Sequence, residues 1–169
     1  MLGIGLAGIY VGRSLSMATI VVLNGQNKGE WYTVGARAFV FGRDNKLLAQ
    51  INDACVSREH MEVRKEPSDN CYYAVDMDSH NGVFVNSERV VKFKVLHEGD
   101  VIQIGHTLMA VTLDEFEDDL QARRYLRNCE KKFANEIEHM KEAEEGRREQ
   151  ISGATLGLRA LLPFGKRRK

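Results

Sequence analysis

The polar chemistry of this chain gathers in three short stretches. Gly42-Arg43 closes an apolar run, Ser57-Arg58-Glu59-His60 follows after a gap, and Asp76-Met77-Asp78-Ser79-His80-Asn81-Gly82 leads into Val83-Phe84-Val85-Asn86. A guanidinium offers paired donors in a fixed fork, a serine hydroxyl adds a single donor, and an asparagine amide donates and accepts. Brought together, such groups suit one doubly charged cluster of oxygens better than they suit bond-breaking. The residues needed for other chemistries are missing. There is no Ser-His-Asp logic, since Asp78 and His80 alone do not make a triad. Cys55, Cys71 and Cys129 are odd in number and widely spaced, with no Cys-x-x-Cys or Cys/His ligand pattern. No glycine-rich nucleotide loop occurs. The chain is therefore expected to have no catalytic residue, no metal and no cofactor, and not to be an enzyme.

Each stretch also has a plainer reading. Arg43 alone reads as a surface arginine, and Ser57 as the start of a turn. Asn81-Gly82 reads as a hairpin turn, because both residues accept positive φ. His60, at a strand start, reads as a structural histidine. The order and combination of the stretches give them weight, together with the elements that would position them.

From Thr19 to Leu113 the chain is a series of short β runs: TIVVL, WYTV, AFVFG, HMEVRK, YYAVD, GVFVN, VIQIG and TLMAVTL. Between them lie NGQNKGE, EPSDN, DSHNG and HEGD, which carry turn chemistry. Many short strands with no helical period between them predict a β-sandwich. The period changes at Asp114. Phe116, Leu120, Leu126, Cys129, Phe133, Ile137 and Met140 recur at helical spacing, with one slip, and acidic residues crowd the start. This predicts an amphipathic helix over 114–150. Its stripe is open to packing on the sandwich or to pairing with a second copy of the chain.

Taken in order, FGR, SREH, DSHNGVFVN and LHEGDVIQIG resemble the forkhead-associated (FHA) domain family over roughly Thr19 to Leu113. The resemblance implies a mainly β fold, an eleven-stranded β-sandwich whose loops at one end bind phosphothreonine peptides, here followed by a long C-terminal α-helix. It implies that Arg43 is the principal phosphate contact, that Ser57 donates its hydroxyl, and that Arg58 meets the phosphate or the peptide backbone. Asn81 would bridge the peptide main chain. His80 stands where the family commonly has Ser or Thr, and Val83 where it favours Thr. An imidazole also donates, and when protonated it adds positive charge. Gly42, His60, Ser79, Gly82 and Asn86 would support these groups: Gly42 by letting the backbone turn, His60 by bonding the loop from within. A phosphothreonine carries about −1.5 to −2 charges and three acceptor oxygens, which suits this donor set.

The expected organisation is an apolar, disordered extension over 1–16, the FHA domain over 17–113, the helix over 114–150 and a flexible basic tail over 151–169. The tail has five basic residues and no acidic one. Its residues 158–169 combine Leu, Phe, Lys and Arg in a way that suits anionic lipid or nucleic acid. The extension is too short to span a bilayer, which takes about 20 apolar residues. Overall the chain is neutral, with 24 Lys+Arg against 24 Asp+Glu, so global charge selects no partner class. The reading is a cytoplasmic phosphothreonine-peptide adaptor in Ser/Thr-kinase signalling, with a bacterial pathway the natural setting. The alternative is an assembly protein that uses the sandwich as scaffold and the helix for oligomerisation.

Overall fold

Ala18–Val22 and Thr107–Thr112 are buried along their whole length. A strand wet on one face would alternate, so these two must be covered on both. In this computed structural model, which describes residues 17–142 and 145–146, a second sheet covers one face and a helix the other. Eleven strands occur among the described residues. They are β1 (Ala18–Val22), β2 (Trp31–Val34), β3 (Phe39–Gly42), β4 (Ala49–Gln50), β5 (Met61–Lys65), β6 (Tyr72–Asp76), β7 (Val83–Val85), β8 (Glu88–Arg89), β9 (Phe93–Leu96), β10 (Val101–Ile104) and β11 (Thr107–Thr112). One sheet runs β2-β1-β11-β10-β7-β8 and the other β4-β3-β5-β6-β9. All pairings are antiparallel except β3 with β4.

The strand period of two sorts the side chains. Ala18, Ile20 and Val22 of β1 join Met109 and Val111 of β11 in the core between the sheets, with Phe41, Met61, Val63, Ile102 and Ile104. The alternate residues Val21, Leu23, Leu108 and Ala110 point the other way, onto helix α1 (Asp119–Lys132). Tyr125, Leu126 and Cys129 of α1 meet them, followed by Phe133, Ile137 and Met140. Burial pushes the Tyr125 phenol and the Cys129 thiol up from their ordinary ranges. The Tyr125 hydroxyl donates to the Val111 carbonyl at 3.0 Å, which ties helix to sheet.

The expected long helix is therefore corrected in three respects. Residues 114–118 are not helical. This acidic stretch is a lead-in that lays Phe116 against Trp31 and Tyr125, with ring centroids 5.7 and 5.6 Å apart. The helix starts where Asp118 caps it, its carboxylate accepting from the Gln121 N–H at 2.8 Å. α1 has 14 residues and ends at Phe133, whose backbone leaves the helical region before helical geometry resumes over 134–142. Third, Leu120 is 59% exposed and outside the stripe. The stripe itself is spent on the sandwich, which removes the argument for pairing with a second copy. Among the described residues no helix is long and apolar enough to cross a membrane. The extension over 1–16, the tail over 151–169 with its lipid or nucleic-acid reading, and the end of the expected helix lie outside the described residues.

Candidate functional site

One end of the sandwich carries the loops β3–β4, β4–β5 and β6–β7. The first is built on a close approach. Gly42 closes β3, and a Cβ there would lie 2.1 Å from the Arg58 carbonyl oxygen and 2.9 Å from Leu47 Cδ1. Gly42 is thus required for contact between the two loops, not for the turning freedom expected of it. The Arg58 carbonyl also accepts from the Asp44 N–H at 3.1 Å.

Three consecutive carbonyls in the β4–β5 loop then hold the predicted residues. Cys55 O accepts from Asn81 Nδ2 at 2.6 Å. Val56 O accepts from Arg43 Nε at 2.9 Å. Ser57 O accepts from the Arg43 backbone N–H at 2.8 Å. Arg43 and Asn81 are exposed and Ser57 is half-buried. With Nε fixed, the two terminal amino groups of Arg43 have no partner among the described residues. Asn81 likewise keeps its carbonyl oxygen and a second N–H. The backbone N–H of His80 donates to Ser57 Oγ at 3.1 Å, and the Ser57 hydroxyl proton remains available. The side chains of Arg58 and His80 are exposed beside these groups.

His60 holds the assembly from below. It is fully buried, and its Nδ1 accepts from the Ser57 N–H at 2.8 Å, which leaves Nε2 to donate to the Gly82 carbonyl at 3.1 Å. The Ser57 bond requires the neutral ring, because protonation would remove the Nδ1 lone pair that accepts it. Burial lowers its pKa from the ordinary imidazole value, and the nearby Gly82 carbonyl, Asp76 and Asp53 oppose this more weakly.

The β6–β7 loop folds on itself. The Ser79 N–H donates to Asp76 Oδ1 at 3.1 Å, and Ser79 Oγ accepts from the Gly82 N–H at 3.1 Å. Gly82 has φ +81°, and Asn81 does not share a positive φ, so the pair is not the hairpin turn its sequence suggests. That turn lies further on, at Asn86 and Ser87 with φ of 52° and 66°, joining β7 to β8. Asn86 is the one predicted residue outside this cluster. At the far end of β7 its amide donates to Asp100 Oδ1 at 2.8 Å and accepts from the Val101 N–H at 2.9 Å, so it fixes the start of β10.

The sequence reading missed two contributors. Asp53 ties the β4–β5 loop to the β10–β11 turn, accepting from the Cys55 and His106 N–H groups at 2.8 and 2.6 Å. Arg89 lies across from Phe84 in the β7–β8 pairing, and its guanidinium sits 3.0–3.2 Å from where a Cβ on Gly82 would be. Recognition of the Asn86-Ser87 turn would have brought Arg89 back toward the Asn81 loop. For Asp53, no local signal exists.

The family model of the FHA domain matches residues 39–105. A glycogen accumulation regulator, GarA of Mycolicibacterium smegmatis, is 32% identical over 115 residues, 68% of this chain and 68% of the relative. An oxoglutarate dehydrogenase inhibitor of Corynebacterium jeikeium is 35% identical over 101 residues, 60% of this chain. This chain spans 65% of that inhibitor's length, just under two thirds. Among solved structures, one from a structural and functional study of phosphothreonine-dependent FHA domain interactions superposes with a TM-score of 0.52 at 28% identity, covering 59% of this chain and 99% of its own.

Proposed function

The chain belongs to the forkhead-associated domain family, and on that premise we propose that it is a non-catalytic reader of phosphothreonine peptides, acting as an adaptor in bacterial Ser/Thr-kinase signalling. One observation carries the reading. Three successive carbonyls, of residues 55, 56 and 57, fix Asn81 and Arg43 to the loop that carries the Ser57 hydroxyl. Their unspent donors are pre-organised at one rim without closing one another off. Ordering cost on binding is correspondingly small.

The two terminal amino groups of Arg43 take two phosphate oxygens as a fork, and the Ser57 hydroxyl donates to the third. Asn81 fixes the peptide main chain through its remaining donor and acceptor. Arg58 and His80 flank the phosphate, and Lys46 adds exposed positive charge on the β3–β4 loop. Ser79 Oγ accepts from the Gly82 N–H and keeps its own hydroxyl proton, so Ser79 and the exposed His80 imidazole are the side-chain donors on that side. The partner is a protein carrying phosphothreonine. Relatives known as a metabolic regulator and an enzyme inhibitor support a regulatory partner of this kind.

An oriented phosphothreonine peptide library probed with the full chain tests the reading. Retention of phosphorylated but not unphosphorylated sequences is expected. Equal retention of both, or of neither, overturns it.

A further inference from the structure

We propose that Asp53, Cys55 and His106 bind a divalent transition-metal ion of the zinc class, and that the ion stiffens the loop on which Arg43 and Asn81 are mounted. The coupling half of this proposal rests on the phosphopeptide reading above; the metal site does not. Sequence spacing gave no metal motif, and none is needed, because the three residues come from two loops that the fold brings together. Asp53 and Cys55 lie in the β4–β5 loop and His106 in the β10–β11 turn. One ligand atom from each lies within 4.8 Å of the others. Asp53 Oδ1 and His106 Nδ1 are 3.6 Å apart.

The carboxylate–imidazole distance fits a tetrahedral ion, and the thiol must come closer. With bonds of about 2.0–2.1 Å to nitrogen and oxygen and about 2.3 Å to sulfur, ligand atoms stand roughly 3.3–3.6 Å apart. The carboxylate and imidazole nearly meet this already. The thiol side closes by a torsional shift on the order of 1 Å. A mixed nitrogen, oxygen and sulfur donor set suits zinc and disfavours calcium or magnesium.

The surroundings hold the donors in place. Asp53 Oδ2 accepts from the His106 N–H at 2.6 Å and the Thr107 hydroxyl at 3.2 Å, while Oδ1 accepts the Cys55 N–H and retains a lone pair. Such outer bonds orient a ligating carboxylate. Gly105, at φ +58°, packs so closely that a Cβ would lie 2.7 Å from Asp53 Oδ2 and 3.0 Å from Cys55 Cβ. The side chains of Asp53 and His106 are 9% and 18% exposed, so the cluster borders solvent.

Cys55 links the two sites. Its carbonyl holds Asn81, and its neighbour Val56 holds Arg43. A metal bond to the Cys55 sulfur limits the motion of both carbonyls, so metal and phosphopeptide each tighten binding of the other by the same factor.

The full chain, reduced and stripped of metal, is titrated with cobalt(II), which is then displaced by zinc. The expected result is one equivalent bound with thiolate-to-cobalt charge-transfer absorption. Cys55→Ser abolishes that absorption and His106→Gln weakens binding at least tenfold, while Cys71→Ser and Cys129→Ser leave both unchanged. Absence of the absorption, or its persistence in Cys55→Ser, overturns the site. Zinc is then expected to tighten a phosphothreonine peptide three- to tenfold in the wild type and not in Cys55→Ser. Unchanged peptide affinity with the cobalt signature intact overturns the coupling. Failure to bind peptide with or without zinc instead overturns the phosphopeptide reading and leaves the metal site standing.

Discussion

At the rim, Arg43, Arg58, His80 and Asn81 are exposed, and each predicted anchor spends only part of its hydrogen-bonding capacity inside the protein. Under α1, Val21, Leu23, Leu108 and Ala110 are at most 3% exposed and present no polar group. The two regions sit on one sandwich and depend on different physics. The helix-covered face contributes stability through apolar burial, at roughly 25 cal/mol per Å². The rim contributes little burial. Its order comes from backbone carbonyls and a neutral buried histidine, and its side chains remain available to a ligand. Substitutions in one region are therefore expected to leave the other's property intact.

Arg43→Ala should give the largest separation. Phosphothreonine-peptide affinity is expected to fall about 100-fold or more, roughly 3 kcal/mol, because the fork to the dianion is lost. Stability in urea should change by no more than about 1 kcal/mol, since only one side-chain hydrogen bond goes. A comparable loss of stability would show that the rim is part of the core. Gly42→Ala is the substitution expected to cross the divide. Its Cβ would meet the Arg58 carbonyl at 2.1 Å, so the loops must part. A stability loss of about 2–3 kcal/mol, together with at least a tenfold loss of affinity, is expected from calorimetry and denaturation on the same sample. Normal affinity in this variant would mean that the contact does not set the site.

Much of this architecture was legible, and for definable reasons. β runs such as TIVVL and YYAVD announce themselves by residue type. The eleven-strand count came from the family resemblance, since β4 has two residues, both residues of β8 are exposed, and FKVL of β9 carries an exposed Phe93 and a lysine. The helix start was misplaced because the acids from Asp114 to Asp118 mimic a first turn, and only the Asp118 cap distinguishes the true one. Its break at Phe133 has no glycine or proline to mark it. At the site, Arg43, Ser57 and Asn81 were identifiable by motif. The carbonyls of 55–57 that join them were not, because a backbone acceptor has no sequence signature.

On the helix side, Ile137→Ala should cost about 2 kcal/mol of stability, the usual lower range for truncating a buried isoleucine. Peptide affinity should stay within twofold, by fluorescence anisotropy. A larger affinity change would reveal coupling through the six-stranded sheet. The smallest expected effect comes from His60. Its folded-state pKa lies below the unfolded value of about 6.5, so the unfolded chain takes up the proton first. Stability should be complete well above pH 6.5 and decline as pH falls from 7.5 to 5.5, through the unfolded value toward the depressed folded one. Urea midpoints measured at both pH values, for wild type and His60→Gln, would show it. An equal decline in the variant would assign the proton elsewhere.

The most direct measurement is an NMR titration of the full chain with a phosphothreonine peptide selected from the library. The backbone amides of Arg43, Ser57, His80 and Gly82 and the side-chain amide of Asn81 should shift together and saturate at one equivalent, while those of α1 and β11 stay in place. Saturable shifts centred on α1, with the Arg43 and Asn81 signals unmoved, would contradict the account.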